Sequence, residues 1–389
     1  GYMRGHNEQN QTRFYVMFAV SIGSTLAIAF AGNLFTLFLG YEILTVSTYP
    51  LVAHAGTPAA RRGARTYLGI LLGTSIGLQL LAILITYALT GTLDFREGGI
   101  LSGQVNPMWA GLLYALYVFG IGKAALMPFH RWLPAAMVAP TPVSALLHAV
   151  AVVKAGVFTV LKVTIYVFGA DFLKATGVTD WLIWFAAATI LLASLIAMTK
   201  DNLKARLAYS TVSQLSYIIL GAMLLNPAGM TGSALHIVMH AFAKITLFFG
   251  AGAILVAAHK TRVSELDGLG RAMPITFATF MIASLSIIGL PPLGGAWSKW
   301  YLAMGTVDAE RWALLGVLML SSLLNIAYLL PVPVRAFFGK ARDGATHTQL
   351  KEAPASCLVA MIITALACLV LFFYPGPFYQ LATSAAGAQ

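Results

Sequence analysis

The sequence predicts an all-α, polytopic membrane protein with about eleven transmembrane helices. Apolar residues make up 59% of the chain, charged residues make up only 10%, and the mean hydropathy is +0.81. A soluble globular chain is closer to half apolar and a quarter charged. The apolar residues are also grouped into long runs, and about 20 such residues suffice to cross a bilayer. Too little polar surface remains to cover a water-soluble particle.

The apolar runs follow one another along the chain, and no segment between them is long enough to form a soluble domain. We predict spans at residues 14–32, 33–53, 66–90, 107–129, 142–168, 180–199, 207–225, 232–258, 272–303, 310–338 and 355–376. The sequence therefore predicts one membrane domain over residues 1–376 and a short tail at 377–389. The polar start lacks both a signal-peptide pattern and an initiator methionine, so we expect a fragment or a processed product.

The distribution of Lys and Arg between the loops predicts the orientation. With an odd number of spans, the two ends of the chain lie on opposite sides of the membrane. The segments on the side of residue 1 carry sixteen Lys and Arg residues, whereas those on the other side carry only Arg96, Lys174 and Arg311. Cytoplasmic loops are enriched in Lys and Arg, which predicts a cytoplasmic N-terminus and an external C-terminus. This topology explains the net charge of +11 better than nucleic-acid binding does.

Ionisable side chains inside the predicted spans are the candidate functional residues. Each charged residue at the bilayer centre costs on the order of 2.5–3.5 kcal/mol on insertion scales, and such residues usually mark ion or proton pathways. The candidates are Glu42, Lys123, Lys154, Lys244, Lys299, His148, His236 and His240. Lys162 lies nearer a span end, where extension of its side chain towards the interface is the favoured role. The alternative for the whole set is a group of contacts that only hold helices together.

The candidate residues suit proton transfer. Desolvation favours the neutral form of lysine, whereas a nearby carboxylate favours its charged form, so relative movement can load or release a proton. Glu42 is the one acidic residue in the interior of the predicted spans, and we predict a switchable ion pair between Glu42 and Lys123. His236, His240 and Lys244 recur at four-residue steps and share one face of a helix. Because imidazole both donates and accepts protons, this stripe predicts a proton relay.

Cofactor and metal chemistry has little support in the sequence. Cys357 and Cys368 lie eleven residues apart in one apolar stretch and form neither a CxxC pair nor a Cys/His cluster. His148 and His240 could supply one pair of haem ligands from two helices, but no haem-attachment motif accompanies them. We therefore predict neither a cofactor nor a metal.

Two predicted spans contain helix-breaking residues close to a lysine. Pro128 follows Lys123, and the adjacent Pro291 and Pro292 precede Lys299. Proline removes a helical hydrogen-bond donor, and interrupted helices in corresponding positions of two halves usually indicate a transport site. The first five and the next five spans could thus form two repeats. A plain kink at each proline is the alternative.

Several stretches carry a family resemblance. They are NLFTLFLGYEILTVSTYPLVAH, GKAALMPFHRWLPAAMVAPTPVSALLHAVAVVKAGVF, DNLKARLAYSTVSQLSYIILG, MHAFAKITLFFGAG, SELDGLGRAMP and GLPPLGGAWSKWYL, between about residues 33 and 302. With these motifs the chain resembles the antiporter-like subunits shared by respiratory complex I, membrane-bound hydrogenases and Mrp-type cation/proton antiporters. Among them, the D subunit of the Mrp-type antiporter looks like the nearest relative.

The resemblance implies a fold of fourteen helices with two inverted five-helix repeats, in the bacterial inner membrane, of which the first three helices are missing here. In the first repeat, the resemblance matches Glu42 to the glutamate of the fifth family helix, Lys123 to the lysine of the seventh and Lys154 to the lysine of the eighth. In the second repeat, it matches Lys244, with His236 and His240, to the relay of the eleventh helix and Lys299 to the lysine of the twelfth. The short end after the last span disfavours the largest complex I subunit and the A subunit of the Mrp-type antiporter.

These patterns predict a proton-translocating subunit of a multi-subunit Mrp-type cation/proton antiporter, partnered by lipid and other membrane subunits, with no redox site of its own. Its proton path would begin near Glu42, Lys123 and Lys154, continue past Lys244 and leave by Lys299. Whether sodium also passes through this chain stays open, and so do two alternatives for the function. One is a proton-pumping subunit of a complex I-like or hydrogenase-like enzyme, and the other is a static scaffold for other membrane subunits.

Overall fold

The computed structural model describes residues 1–340 and 351–385. Over these residues the chain is helical and contains no strand, although two isolated β-bridges occur. Arg342, one of the charges assigned above to the cytoplasmic side, and residues 386–389 of the predicted tail lie outside the described residues.

Thirteen helices form the body of the described structure, apart from short helical segments of three to seven residues. They are α1 Gln11–Ala29, α2 Leu34–Val52, α3 Pro58–Thr90, α4 Pro107–Gly120, α5 Thr141–Phe168, α6 Leu182–Thr199, α7 Leu203–Met223, α8 Pro227–Ala258, α9 Pro274–Ile288, α10 Gly295–Asp308, α11 Trp312–Phe338, α12 Ala355–Phe373 and α13 Gly376–Ala385. Eight of those in the described ranges are long and apolar enough to cross a membrane: α1, α2, α3, α5, α6, α8, α11 and α12. Two more, α4 and α9, are shorter apolar helices. The predicted multi-pass, all-helical class is confirmed.

Local sequence determines where many of these helices begin. The side chain of Asn33 accepts a hydrogen bond from the backbone N–H of Thr36 at the start of α2, and Asn202 caps α7 in the same way. Asn106 and Asn226 cap α4 and α8, each directly before a proline at the first helical position. Asparagine is a favoured capping residue, and proline has no N–H that the first turn would leave unpaired.

The same arrangement of backbone occurs twice in the chain. Asn33, before α2, forms an isolated antiparallel bridge with Asp94, which follows α3. Asn202, before α7, forms the corresponding bridge with Arg262, which follows α8. In both places, the segment before one helix is thus joined to the segment after the next helix.

The first broken helix ends earlier than the sequence predicts. We expected a span over residues 107–129, but α4 ends at Gly120, and Pro128 lies in the non-helical segment that follows. A Cβ atom on Gly122 would lie 2.2 Å from the hydroxyl of Thr74, and one on Gly120 would lie 2.4 Å from the backbone N of Gln79. Close packing against α3 therefore accompanies the break, and this tertiary contact has no signature in the sequence of the span.

The second break divides a predicted single span. Residues 272–303 fold as α9 and α10, with Pro291 and Pro292 between them. The α9 helix stops at Gly289, whose φ of +93° is in the left-handed region that favours glycine. Three other spans begin four or more residues earlier than predicted: α3 at Pro58, α7 at Leu203 and α8 at Pro227.

The centre of the molecule is formed by α7 and α8. From Ser210 to Met223, every side chain of α7 is buried. The α5 helix packs beside this pair and departs from regular α geometry at residues 146–150, a π-helical turn that contains His148. π-Turns within helices are often found at functional sites.

Candidate functional site

Lys123 is fully buried at the end of α4, where its ammonium group is held by α2. Its Nζ atom donates a hydrogen bond of 2.8 Å to the carbonyl oxygen of Tyr41 and another to the hydroxyl of Thr45. The same Nζ lies 3.1 Å from the centroid of the Tyr41 ring. The break after Gly120 positions the lysine, because Lys123 lies in the single turn Gly122–Ala124 rather than in a long helix.

Glu42 lies between these partners in the sequence but does not bind Lys123. Its half-buried side chain has one oxygen, Oε1, that is enclosed and has no hydrogen-bond partner among the described residues. The ion pairs of the described residues do not include one between Glu42 and Lys123. The predicted ion pair between Glu42 and Lys123 is therefore open in this structure. The Nζ atom of Lys123 donates its hydrogen bonds to uncharged oxygens instead.

A hydrogen bond between two buried ionisable side chains joins the first half of the chain to the second. The Nζ atom of Lys154, on α5, lies 2.7 Å from Nδ1 of His240, on α8. Both side chains are buried, and Nε2 of His240 has no partner among the described residues. The sequence spacing alone did not predict this contact.

His236 continues the polar line one turn from His240. The ring centroids of the two histidines lie 5.9 Å apart. The Nδ1 atom of His236 lies 2.8 Å from the hydroxyl of Ser298 on α10, and its Nε2 atom lies 3.1 Å from the amide oxygen of Gln214 on α7. The histidine thus connects α8 to the residue next to Lys299.

Lys244 is a further two turns along α8 from His236 and is fully buried. Its Nζ atom donates a hydrogen bond of 2.6 Å to the hydroxyl of Ser210 and lies 3.4 Å from the carbonyl oxygen of Leu207, both on α7. The three predicted relay residues therefore share one face of α8. This face contacts α5, α7 and α10, which carry the hydrogen-bond partners of His240, His236 and Lys244.

Lys299 lies on α10 beside the second helix break. Its Nζ atom donates to the carbonyl oxygen of Ile288, the last residue of α9, and to the hydroxyl of Ser322, both at 3.0 Å. The lysine is half-buried and lines an open, largely apolar groove of about 890 Å³ with Trp300 and Leu323. The helix break therefore frees a carbonyl that the lysine uses.

His148 is the one predicted histidine that the structure leaves without a polar partner. Both of its ring nitrogens are buried and unpaired among the described residues, and its ring centroid lies 4.7 Å from that of Phe248. The hydroxyl of Ser144, one turn earlier on the same face of α5, is also buried and unpaired. Buried polar atoms of this kind are normally satisfied by water.

The sequence reasoning missed the neutral partners of the charged residues. Thr45, Ser210, Ser298, Ser322 and Gln214 each contact a predicted site residue. Serine and threonine are common in membrane helices, so their presence gave no signal. Gln214 gave a weak one, because a glutamine within a predicted span is costly unless it is paired. Gln79 is similar, since its whole amide is buried and unpaired among the described residues.

Lys162 lies near the end of α5, and its contacts differ from those of the other buried lysines. Its Nζ atom donates a hydrogen bond of 2.7 Å to the carbonyl oxygen of Ala31 and lies 4.3 Å from the centroid of the Phe95 ring. These contacts separate Lys162 from the line of Lys154, the histidines and Lys244.

Within the described residues, no group of three or more His, Cys, Asp or Glu side chains is arranged to hold a metal ion.

Together, the fold and this line of buried polar side chains define a multi-pass membrane protein with an ionisable interior. A sequence profile described as NADH:quinone oxidoreductase/Mrp antiporter, TM, matches residues 31–325. The chain belongs to this family.

Comparisons with known proteins agree with this assignment. The chain is 34% identical to NADH-quinone oxidoreductase subunit N of Desulforudis audaxviator, over 95% of this chain and 76% of the relative. It is 31% identical to the A/B subunit of a probable K(+)/H(+) antiporter of Rhizobium meliloti, over 95% of this chain and 38% of the relative. The structure of the Mrp complex from Dietzia sp. contains a similar fold, with a TM-score of 0.85 over 95% of this chain and 77% of that one, at 22% identity. The chain covers less than two thirds of the length of several further relatives.

The predicted relation to complex I and Mrp subunits is confirmed, and the finer assignment to the D subunit stays a prediction.

Proposed function

We propose that this chain is a proton-translocating subunit of a multi-subunit Mrp-type cation/proton antiporter. The observation that carries the proposal is the hydrogen bond of 2.7 Å between Lys154 and His240, since it joins the buried ionisable groups of the two halves. Ionisable groups inside a membrane cost free energy of insertion, and apolar packing would hold the helices together as well. A purely structural role therefore does not explain a buried contact between a lysine and a histidine.

The proton path we propose runs from Lys123 to Lys154 and then crosses to α8 at His240. From there, His236 and Lys244 lead towards α10 and Lys299. Ser144 and His148, whose buried polar atoms have no partner among the described residues, provide a place for water near the crossing point. The open groove beside Lys299 is the end of the path.

Two inverted repeats give this path its symmetry. The helices α6, α7, α8, α9 and α11 begin between 167 and 171 residues after α1, α2, α3, α4 and α5, respectively. The paired bridges at Asn33 and Asn202 recur at the same spacing. With eleven spans, counting α9 and α10 as one, successive spans alternate in direction, so the second set of five has the opposite orientation to the first. A repeat of this kind places the sites at the interface of the two halves.

The charge distribution supports the rest of the proposal. The excess of Lys and Arg on the side of residue 1 supports a cytoplasmic N-terminal end and an external residue 385 in a bacterial inner membrane. The relatives named above are subunits of larger assemblies. The partners we propose are therefore lipid and other membrane subunits, and the ions exchanged by the whole complex are protons and a monovalent cation such as sodium.

Reconstitution of the native complex into proteoliposomes tests this function. We expect an imposed sodium or potassium gradient to acidify or alkalinise the vesicle interior, as a pH-sensitive dye reports. A protonophore should abolish the signal. A purified complex that transports no protons under either cation gradient would contradict the proposal.

A second candidate is a proton-pumping subunit of a complex I-like enzyme. The 34% identity to an NADH-quinone oxidoreductase subunit favours it. The two candidates differ in their partners, because a redox enzyme needs subunits with flavin or iron–sulfur clusters, whereas an antiporter does not. Optical and electron paramagnetic resonance spectra of the purified complex distinguish them. Cluster signals with quinone-dependent NADH oxidation would favour the enzyme.

A further inference from the structure

The α12 helix binds the second helix break from outside the two sets of five helices. The backbone N–H of Gly294, in the segment before α10, donates a hydrogen bond of 2.8 Å to the carbonyl oxygen of Cys368. The Nε1 atom of Trp297, in the first turn of α10, donates one of 2.9 Å to the carbonyl oxygen of Phe372. Cys368 and Phe372 lie about one turn apart on α12. Successive turns of one helix therefore hold the segment that precedes Lys299.

The carbonyl of Phe372 is available because α12 ends one residue later, at Phe373. The last four carbonyl groups of an α-helix have no intrahelical donor, and the indole N–H of Trp297 satisfies one of them. The rings of Trp297 and Phe372 also stack, with their centroids 5.8 Å apart. Trp297 thus contacts the end of α12 through both a hydrogen bond and its ring.

Gly294 allows the break to approach two helices closely. A Cβ atom on this residue would lie 2.7 Å from Sδ of Met239 on α8 and 2.9 Å from Cβ of Leu371 on α12. The two helices also contact each other directly, because the hydroxyl of Thr246 on α8 donates a hydrogen bond of 2.7 Å to that of Thr364 on α12. The break therefore lies in the corner between α12 and the helix of the predicted relay.

These contacts determine where Lys299 lies, two residues after Trp297. The stem of the lysine passes over Gly289, on which an added Cβ atom would lie 2.7 Å from Cδ of Lys299. Its Nζ atom then reaches the carbonyl oxygen of Ile288 and the hydroxyl of Ser322, both at 3.0 Å. A shift of α10 against α12 would move the ammonium group relative to both acceptors.

An indole hydrogen bond also occurs at the first helix break. The Nε1 atom of Trp132, which is fully buried, donates a hydrogen bond of 2.9 Å to the carbonyl oxygen of Gly122. Gly122 directly precedes Lys123 in the short turn that carries this lysine. Here the acceptor belongs to the break itself, whereas at the second break it belongs to α12. In each half, an indole hydrogen bond thus lies within two residues of the lysine at the break.

From these contacts we propose that Trp297 is a positioning residue for Lys299 and that α12 is the support against which it acts. The proposal rests on the function proposed above and deepens it, since Trp297 places the lysine without exchanging a proton itself. The hydrogen bond to Phe372 holds α10 where Lys299 reaches Ile288 and Ser322. Without this bond, the ammonium group occupies that position for a smaller fraction of the time, and transfer through Lys299 slows.

Transport by the reconstituted complex tests this role. Trp297→Phe keeps an aromatic ring against Phe372 but removes the N–H, and we expect proton transport to slow by about threefold to tenfold, as the loss of one hydrogen bond implies. A structure of this variant should show Lys299 beyond hydrogen-bond distance of Ile288. Trp184→Phe is the matched control, because the exposed indole of Trp184, on α6, makes no hydrogen bond within residues 1–340 and 351–385. It should transport at the native rate.

Phe372→Leu separates the hydrogen bond from the ring contact, because it removes the ring but keeps the backbone carbonyl. The positioning role predicts faster transport by this variant than by Trp297→Phe. Packing of the two rings as the main contribution predicts the reverse order, and that order would contradict the proposal. Melting temperatures of both variants in detergent identify any loss of transport that comes from unfolding.

Ser322→Ala tests whether Trp297 acts through Lys299, because it removes one acceptor of the lysine. Combined with Trp297→Phe, it should slow transport by less than the product of the two single factors, while the decreases in melting temperature add. Independent effects on transport would show that Trp297 does not act through the lysine. If Lys299→Ala stops transport while Trp297→Phe has the native rate, the positioning role is wrong and the proposed function stands. If Lys299→Ala leaves transport intact, the proposed path and the positioning role are both wrong.

Discussion

Lys154 and His240 form the one direct hydrogen bond between the candidate residues of the two halves within the described chain, with 2.7 Å between Nζ and Nδ1. Eighty-six residues separate them in the sequence. Because each belongs to a different set of five helices, the proposed proton path crosses between the halves at this pair. A substitution at either residue should therefore interrupt proton transfer between the two halves.

The first prediction concerns this pair. Lys154→Met and His240→Phe should each slow proton transport strongly, because each removes one side of the crossing. The double variant should be no slower than the slower single variant, since residues that act in series give non-additive effects. Transport by reconstituted complexes containing each variant measures this coupling. Additive losses would show that the two side chains act independently.

The second prediction concerns the end of the path. Lys299→Ala should abolish transport, while the complex still assembles, because a half-buried side chain at an open groove makes few packing contacts. Lys162→Ala is the matched control, since Lys162 is also half-buried and also donates to a backbone carbonyl. It should retain transport. Acidification by the Lys299 variant at the native rate would exclude Lys299 from the path.

The sequence predicted the ionisable residues but not the contacts between them. Lys123, Lys154, Lys244 and Lys299 were identifiable because a charge in an apolar run is costly and rare. Their partners are hydroxyls, amides and backbone carbonyls, such as the carbonyl of Ile288, and these groups occur throughout membrane helices. Which of them meets a lysine depends on helix packing, and no pattern within one span records it.

The same limit applies to the helix boundaries. Proline and glycine predicted that the spans near Lys123 and Lys299 are interrupted. The break near Lys123, however, begins at Gly120, ahead of Pro128, where the chain packs closely against α3. Boundaries set by capping residues, such as Asn202 before α7, were missed because the charged residues of the first turn resembled a loop.

The third prediction concerns the packing that holds Lys123. A Cβ atom on Gly156 would lie 2.4 Å from both the backbone N of Ala124 and the backbone C of Lys123. Gly156→Ala must therefore displace this segment, and overpacking of this kind typically costs about 1–3 kcal/mol. We expect lower thermal stability in detergent and slower transport. Gly73→Ala, at a helical position with no atom within 4 Å of the added group, should be neutral or slightly stabilising. Equal stability of both variants would contradict the close contact.

The fourth prediction concerns pH and the loop between α6 and α7. Burial raises the pKa of Asp201, but hydrogen bonds from the hydroxyl and backbone N–H of Ser264 outweigh it, so that the pKa is lowered overall. A carboxyl group with a lower pKa in the folded state stabilises that state above its unfolded pKa of about 3.9, and this contribution is lost as the pH falls through the folded pKa.

Ser264→Ala should therefore lower the melting temperature at pH 7, by no more than about 2 °C because the site is exposed to solvent. The difference from the native chain should disappear in acid, once Asp201 is protonated in both states. Thermal unfolding of both proteins between pH 7 and pH 3 measures it. A difference that stays constant, or grows, as the pH falls would contradict the assignment.

The last prediction concerns Glu42 and Lys123. In this structure the ammonium group of Lys123 is held by the carbonyl of Tyr41 and the hydroxyl of Thr45, which lie on either side of Glu42 in α2. We expect a movement of the ammonium along α2 to bring it to the carboxylate. Attraction between unit charges at about 4 Å is about 4 kcal/mol at an effective dielectric constant of 20, which corresponds to about a thousandfold preference for the charged lysine. Opening the pair removes this preference and releases the proton.

Glu42→Gln should therefore stop transport, whereas Glu42→Asp should retain part of it. Glu97 is an exposed glutamate outside the described helices, and Glu97→Gln should have no effect. Structures at two pH values in which Glu42 and Lys123 stay apart, together with an active Glu42→Gln variant, would rule out the pair as a switch.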